Sequence, residues 1–237
     1  MHNDTGDAIT GENAAWKFSG DVPKKFEEHV NKSVPNYSQG HDLILKVSDF
    51  FMSENSVCYD LGCSTGILSA QLAKRSEKKE TSIIGVDVEI DMIKFAQERD
   101  NNPKNLQFIQ GNLTEFEFKK ADLIVAYYTI QFVKPNVRQL VINKIYESLH
   151  WGGAFILFEK VRGADARFQD ISTSLYNDYK LDQGYSADNI ISKSRSLKGV
   201  LEPFSTKGNL DLLARAGFID VMTIMKYVCF EGFLAIK

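Results

Sequence analysis

A doubly wound, mostly parallel α/β sheet is the fold this sequence predicts, and three observations predict it. Short apolar runs alternate with amphipathic stretches of helical period through the first two thirds of the chain. The first apolar run ends in a glycine turn that leads straight into a helical stretch, "CYDLGCSTG" at 58–66. Two apolar runs joined by a tight turn close the chain, the pattern of a final antiparallel pair.

Taken in order, "DVPKKFEEHVNKSV" (21–34) reads as a helix with Pro23 in its first turn and Val22, Phe26 and Val30 on one face. The proline, asparagine and glycine of "SVPNYSQGH" (33–41) break it, and "HDLILKVSDFF" (41–51) returns to a helical pattern. "SVCYDLG" (56–62) is a short buried strand. "GILSAQLAKRSEK" (66–78) is an amphipathic helix whose basic last turn suits the helix dipole. "SIIGVDV" (82–88) is a strand, "EIDMIKFAQER" (89–99) a helix, "NLQFIQGN" (105–112) a strand, and "KADLIVAYYTIQFV" (120–133) begins as one. "RQLVINKIYESL" (138–149) is helical and "GGAFILFEKV" is a fifth strand after a glycine turn.

Residues 161–203 are polar, aromatic and irregularly helical, and they interrupt the alternation. They read as a lid inserted into one domain spanning 16–237. "NLDLLARAGF" (209–218) is a helix stopped by Gly217, and 219–228 and 229–237 are the closing strands. Residues 1–15 are polar and contain glycine, and poor order is expected there.

Composition narrows the function. The 237 residues are enough for one core, with 43% hydrophobic and 25% charged residues. A net charge of -3 shows no basic excess and argues against gripping nucleic acid by its phosphates. Cys58, Cys63 and Cys229 are an odd, sparse set without zinc spacing. They read as reduced thiols of a cytoplasmic protein, and no metal site is expected. The first residues lack a basic stretch followed by an apolar one, so no signal peptide is expected, and no apolar run is long enough to span a bilayer.

In such sheets ligands bind outside the carboxyl ends of the strands, where strand order reverses. Asp60, Gly62, Cys63, Ser64 and Gly66 end the first strand there, and the following helix points free N–H groups at whatever binds. The turn reads G-x-S-x-G, not the G-x-G-x-x-G of phosphate-binding turns. Asp87 ends the second strand, where an acid accepts hydrogen bonds from a ribose diol or else caps the next helix. Asn112, with Leu113 after it, ends the third strand, either meeting an adenine edge or making an asparagine turn.

These elements together resemble the class I S-adenosylmethionine (SAM) dependent methyltransferases. A sulfonium cofactor carries no phosphate and needs no P-loop lysine. Outside the common core, "FEEHVNKSVPNY" (26–37), "YDLGCSTG" (59–66), "IQFV" (130–133), "NKIYESLHWGGAFILFEK" (143–160), "GYSADNIISKSRS" (184–196) and "ARAGF" (214–218) resemble the carboxy-S-adenosylmethionine synthase family. That resemblance implies a homodimer that carboxylates SAM with prephenate. It also implies that Arg195 grips the extra carboxylate and that Tyr37 lines the same place. A guanidinium fork suits a carboxylate. The chain departs from the family at Asn112, where an acid is expected, and at Tyr127, where an asparagine is expected; the N-terminal segment differs too.

The sequence reading sets methyl transfer from SAM to a small molecule first. Such an in-line displacement needs alignment more than acid–base residues. Carboxy-SAM synthesis is the alternative. Cyclisation of the aminocarboxypropyl arm of SAM follows, with Tyr37, Tyr127, Tyr128 and Tyr176 caging the sulfonium. A cofactor-binding sensor without turnover is the fourth. Tyr127, Tyr128, Tyr176 and Glu159 are the candidates for chemistry.

Overall fold

The computed structural model describes residues 4–7, 9 and 11–237. Two helices, α1 (Val22–Ser33) and α2 (Tyr37–Ser48), precede the sheet. Then follow β1 (Val57–Leu61), α3 (Ile67–Ser76), β2 (Ser82–Asp87), α4 (Ile90–Gln97), β3 (Leu106–Gln110), β4 (Ala121–Tyr127), α5 (Pro135–Ser148) and β5 (Leu149–Lys160). Two helices, α6 (Ala166–Asp182) and α7 (Ala187–Ser196), come before α8 (Thr206–Ala216), β6 (Asp220–Tyr227) and β7 (Phe230–Ile236).

The seven strands run in the order β3-β2-β1-β4-β5-β7-β6. The first five are parallel, and β7 is antiparallel to both β5 and β6. Strand order therefore reverses between β1 and β4, which opens a crevice at their carboxyl ends.

The period of two along each strand divides the core. Tyr59 and Leu61 of β1 join Ile124, Ala126, Phe155 and Leu157 under α5 and α8. Cys58, Leu123, Val125, Tyr127, Ile156 and Phe158 take the opposite parity and pack beneath Ile44 of α2 and Leu68 and Leu72 of α3. The same parity decides two later points: Lys160 shares the face of Ile156 and Phe158, whereas Glu159 lies on the face of Leu157.

Three boundaries differ from the sequence pattern. The break before α2 is shorter than predicted: Asn36 turns the chain at φ 56 and the helix starts at Tyr37, running through Gly40. Helix α5 starts at Pro135, because proline fits a first helical turn whose N–H has no partner. Strand β5 begins at Leu149, with an irregular register against Ala121 and Leu123. Gly217 ends α8 at φ 118, as the sequence predicts. Within the described part of the first 15 residues Thr5 and Ile9 are buried and Asp7 accepts from Lys32, His29 and Tyr185, whereas Asp4 and residues 12–15 are exposed. No helix among the described residues is long and apolar enough to cross a membrane.

Candidate functional site

A cleft of about 1370 Å³ opens at the carboxyl ends of β1, β2 and β4 and continues beneath α6 and α7. Its floor is the turn after β1. The N–H groups of Gly62 and Cys63 donate to the Val86 carbonyl at 2.7 and 3.1 Å, which ties the turn to β2. Gly62 sits at φ 70, and a β-carbon there would collide with Thr129. The turn thus needs glycine both for its torsion and for the approach of the β4 loop. Gly66 caps α3, whose first N–H groups face the cleft.

Asp87 holds the far side of this turn. Its carboxylate accepts from the Ser64 N–H at 2.8 Å and from the Glu89 N–H at 2.9 Å. Burial raises its pKa, and these backbone donors pull the other way. A carboxylate has about four acceptor sites, so Asp87 keeps capacity for a diol while also bracing the start of α4. Asp60 is buried and accepts from Ser69 Oγ at 2.6 Å. Burial, then the nearby Asp87, pushes its carboxyl up to about 6. A cation beside it would bring that value down.

Asn112 lies at the outer edge of the cleft, and its side-chain oxygen accepts from the Thr114 N–H and hydroxyl at 3.1 and 2.9 Å. The asparagine turn is therefore formed by the side-chain oxygen. Leu113 is buried and forms part of the wall. Cys63 offers its backbone to the cleft, while its side chain packs with Ile93, Ala96 and Phe108.

The middle of the cleft is aromatic. The rings of Tyr37 and Tyr128 stack at 6.4 Å, and Tyr127 lies 4.6 Å from Tyr128 and 5.0 Å from Tyr37. The Tyr127 hydroxyl donates to the Tyr37 carbonyl at 2.6 Å, so it ties α2 to β4 instead of ending at a ligand. Gly40 makes this possible, since a β-carbon there would overlap the Tyr127 hydroxyl. Tyr128 adopts φ 59, a strained torsion for an aromatic residue, and donates its N–H to the Phe158 carbonyl at 2.8 Å. Gln131 holds this loop by donating to the Tyr128 carbonyl and accepting from the Lys160 N–H.

Beneath α6 and α7 the cleft turns basic, with Lys160, Arg162, Lys180, Arg195 and Lys198 on its wall. Arg195 is exposed at the rim on α7. Lys160 and Lys180 lie deeper, and burial lowers both, Lys180 to about 8. The sequence reading passed over these two lysines. They sit 20 residues apart on different elements, and only the strand parity of Lys160 could have signalled it.

Glu159, one of the candidates for chemistry, faces away. It is buried on the α5 side and forms no part of the cleft wall. Burial keeps its carboxyl well above the usual range, against the pull of Arg138. Tyr176 does line the cleft, with its hydroxyl donating to the Ser33 carbonyl at 2.8 Å.

Residues 58–153 match the family model described as a methyltransferase domain. The carboxy-S-adenosyl-L-methionine synthase of Staphylococcus epidermidis is 36% identical over 223 residues, covering 94% of this chain and 97% of that protein. The chain belongs to the carboxy-S-adenosyl-L-methionine synthase family. A second family member of that name, from Campylobacter lari, is 36% identical with 94% of each chain covered. Among solved structures, a putative O-methyltransferase from Nostoc punctiforme superposes with a TM-score of 0.63 at 15% identity, covering 92% of this chain and 61% of that one. Human N-acetylserotonin methyltransferase in complex with SAM gives 0.56 at 16% identity, covering 90% and 61%. These two share the fold. Family membership makes this chain a SAM-dependent transferase.

Proposed function

We propose that this protein makes carboxy-SAM from SAM and a carboxyl donor of the prephenate type. Methyl transfer stood first in the sequence reading. The names of the relatives, matched along the lid as well as the core, favour the synthase instead. The observation that carries this reading is the division of the cleft by charge. Asp60 and Asp87 lie at the strand ends, where a sulfonium amino acid and its ribose would sit, and the basic residues gather under the lid. A cationic cofactor and an anionic second substrate match that division.

In the proposed reaction the sulfonium methyl loses one proton and gains the carboxyl carbon. The donor loses its ring carboxyl and a hydroxide, and becomes aromatic as phenylpyruvate. The proton and the hydroxide leave as water, so no side chain has to act as the final base. The protein's part is alignment and exclusion of water. Tyr37 and Tyr128 present ring faces to the sulfonium, and Arg195 at the rim meets a carboxylate. Asp87 takes the ribose, the Asn112 amide and Leu113 the adenine, and the Gly62–Gly66 turn the methionine part. Homodimer formation, implied by the family, belongs to the same reading.

The test is incubation with SAM and prephenate, followed by mass spectrometry of the adenosyl product. A product heavier than SAM by one carbon dioxide supports the synthase. S-adenosylhomocysteine formed only when an acceptor is added would establish methyl transfer instead.

A further inference from the structure

Lys160 ends β5 and belongs to the body of the protein, while Lys180 stands in the last turn of α6 and belongs to the lid. Their ammonium groups meet on one ring: Lys160 Nζ is 4.2 Å and Lys180 Nζ 4.4 Å from the centroid of Tyr176. Tyr176 and Lys180 are one helical turn apart, so α6 presents both to the cleft. Phe230 packs against the same ring at 5.2 Å, and the Tyr176 hydroxyl is anchored on α1. Neither ammonium has a hydrogen bond or ion pair to a described residue. Both residues line the cleft.

Two cations brought together out of water without an anion are unfavourable, and their ordinary remedy is a bound carboxylate. We infer that Lys160 and Lys180, resting on Tyr176, form a carboxylate subsite for the second substrate, and that an anion held there clamps α6 onto the sheet. Sheet and lid supply one cation each, so binding is worth most when the lid is down. The lowered values of both lysines agree with a site that lacks its anion. The inference rests on the proposed function for an anionic second substrate whose aromatic product is phenylpyruvate.

The experiment uses the full chain loaded with S-adenosylhomocysteine, with phenylpyruvate as the probe and the uncharged ketone phenylacetone as the control. Binding is followed by calorimetry and by hydrogen exchange of the α6 backbone. Phenylpyruvate should slow exchange in α6, and phenylacetone should not. Lys160→Met and Lys180→Met should each weaken phenylpyruvate by about tenfold or more, the loss expected for a charged hydrogen bond. Both should abolish the protection of α6 and leave S-adenosylhomocysteine affinity unchanged. Lys180→Arg should keep both effects. Each methionine variant removes an unpaired charge and should melt at or above the wild-type temperature. Wild-type protein that does not bind phenylpyruvate, or binds it equally in both methionine variants, overturns the inference. So does binding without protection of α6. A clamp that works in a protein making no carboxy-SAM would sustain the subsite and remove only the synthase reading.

Discussion

Asp60 is buried and faces a cleft, and burial, with Asp87 nearby, holds its carboxyl up to about 6. A cationic ligand beside it must lower the value again. SAM affinity is therefore expected to fall as the pH drops below about 6. Asp60→Asn should bind weakly, with a flat profile. Calorimetric titrations between about pH 5 and 8 check this, and a flat wild-type profile would remove Asp60 from the cofactor site. Tyr127 and Gly40 make a second residue-scale case. Gly40→Ala should destabilise the protein by about 1–3 kcal/mol through overpacking. Tyr127→Phe should cost about 1 kcal/mol for its lost hydrogen bond. Combined, the two should cost less than their sum, because the phenylalanine has no hydroxyl to collide. Urea unfolding of the three variants measures the coupling. Sequence reading placed Tyr127 near the cofactor, but it could not see that the hydroxyl would find a backbone carbonyl on a helix 90 residues earlier.

At the scale of elements, the alternating strands and helices and the closing hairpin were legible, because each rests on a local period. The helix ends were less so. Gly40 and Gln39 looked like part of a break, yet α2 runs through them because Tyr127 requires a residue without a side chain there. Glu159 and Lys160 are neighbours with opposite fates, and only the parity of β5 separates a core acid from a cleft lysine. The lid helix α6 is capped by Asp165, whose side chain accepts the Phe168 N–H at 3.2 Å. Asp165→Ala should cost about 1 kcal/mol locally. Hydrogen exchange should then quicken in the first turns of α6 and leave β4 and β5 unchanged. Uniform quickening across the sheet would mean that the lid and body unfold as one unit.

Across the whole molecule, His29 and His41 couple folding to pH. Burial lowers both to about 4. The unfolded chain takes up these protons near pH 6.5, so between about 6.5 and 4 it binds more protons than the folded state. The contribution of the two histidines to stability should fall as pH drops through that window. Asp60, Asp87 and Glu159, all raised in the folded state by burial, act in the opposite direction, so the histidine contribution is read from a histidine variant and not from the total slope. In urea midpoints measured across the window, the stability of His41→Phe relative to wild type should rise as the pH falls; a difference that does not change with pH would contradict the burial of the His41 ring as a neutral group.

The cleft's division by charge also has a pharmacological consequence. On the proposed function, the acidic strand ends and the Lys160–Lys180 pair lie at two ends of an aromatic cleft, an arrangement suited to a single dipolar molecule. A compound with an amino acid cation at one end and a carboxylate at the other, joined through a flat ring, would draw on both ends at once. Its selectivity over ordinary methyltransferase inhibitors would come from the end that faces Lys160 and Lys180.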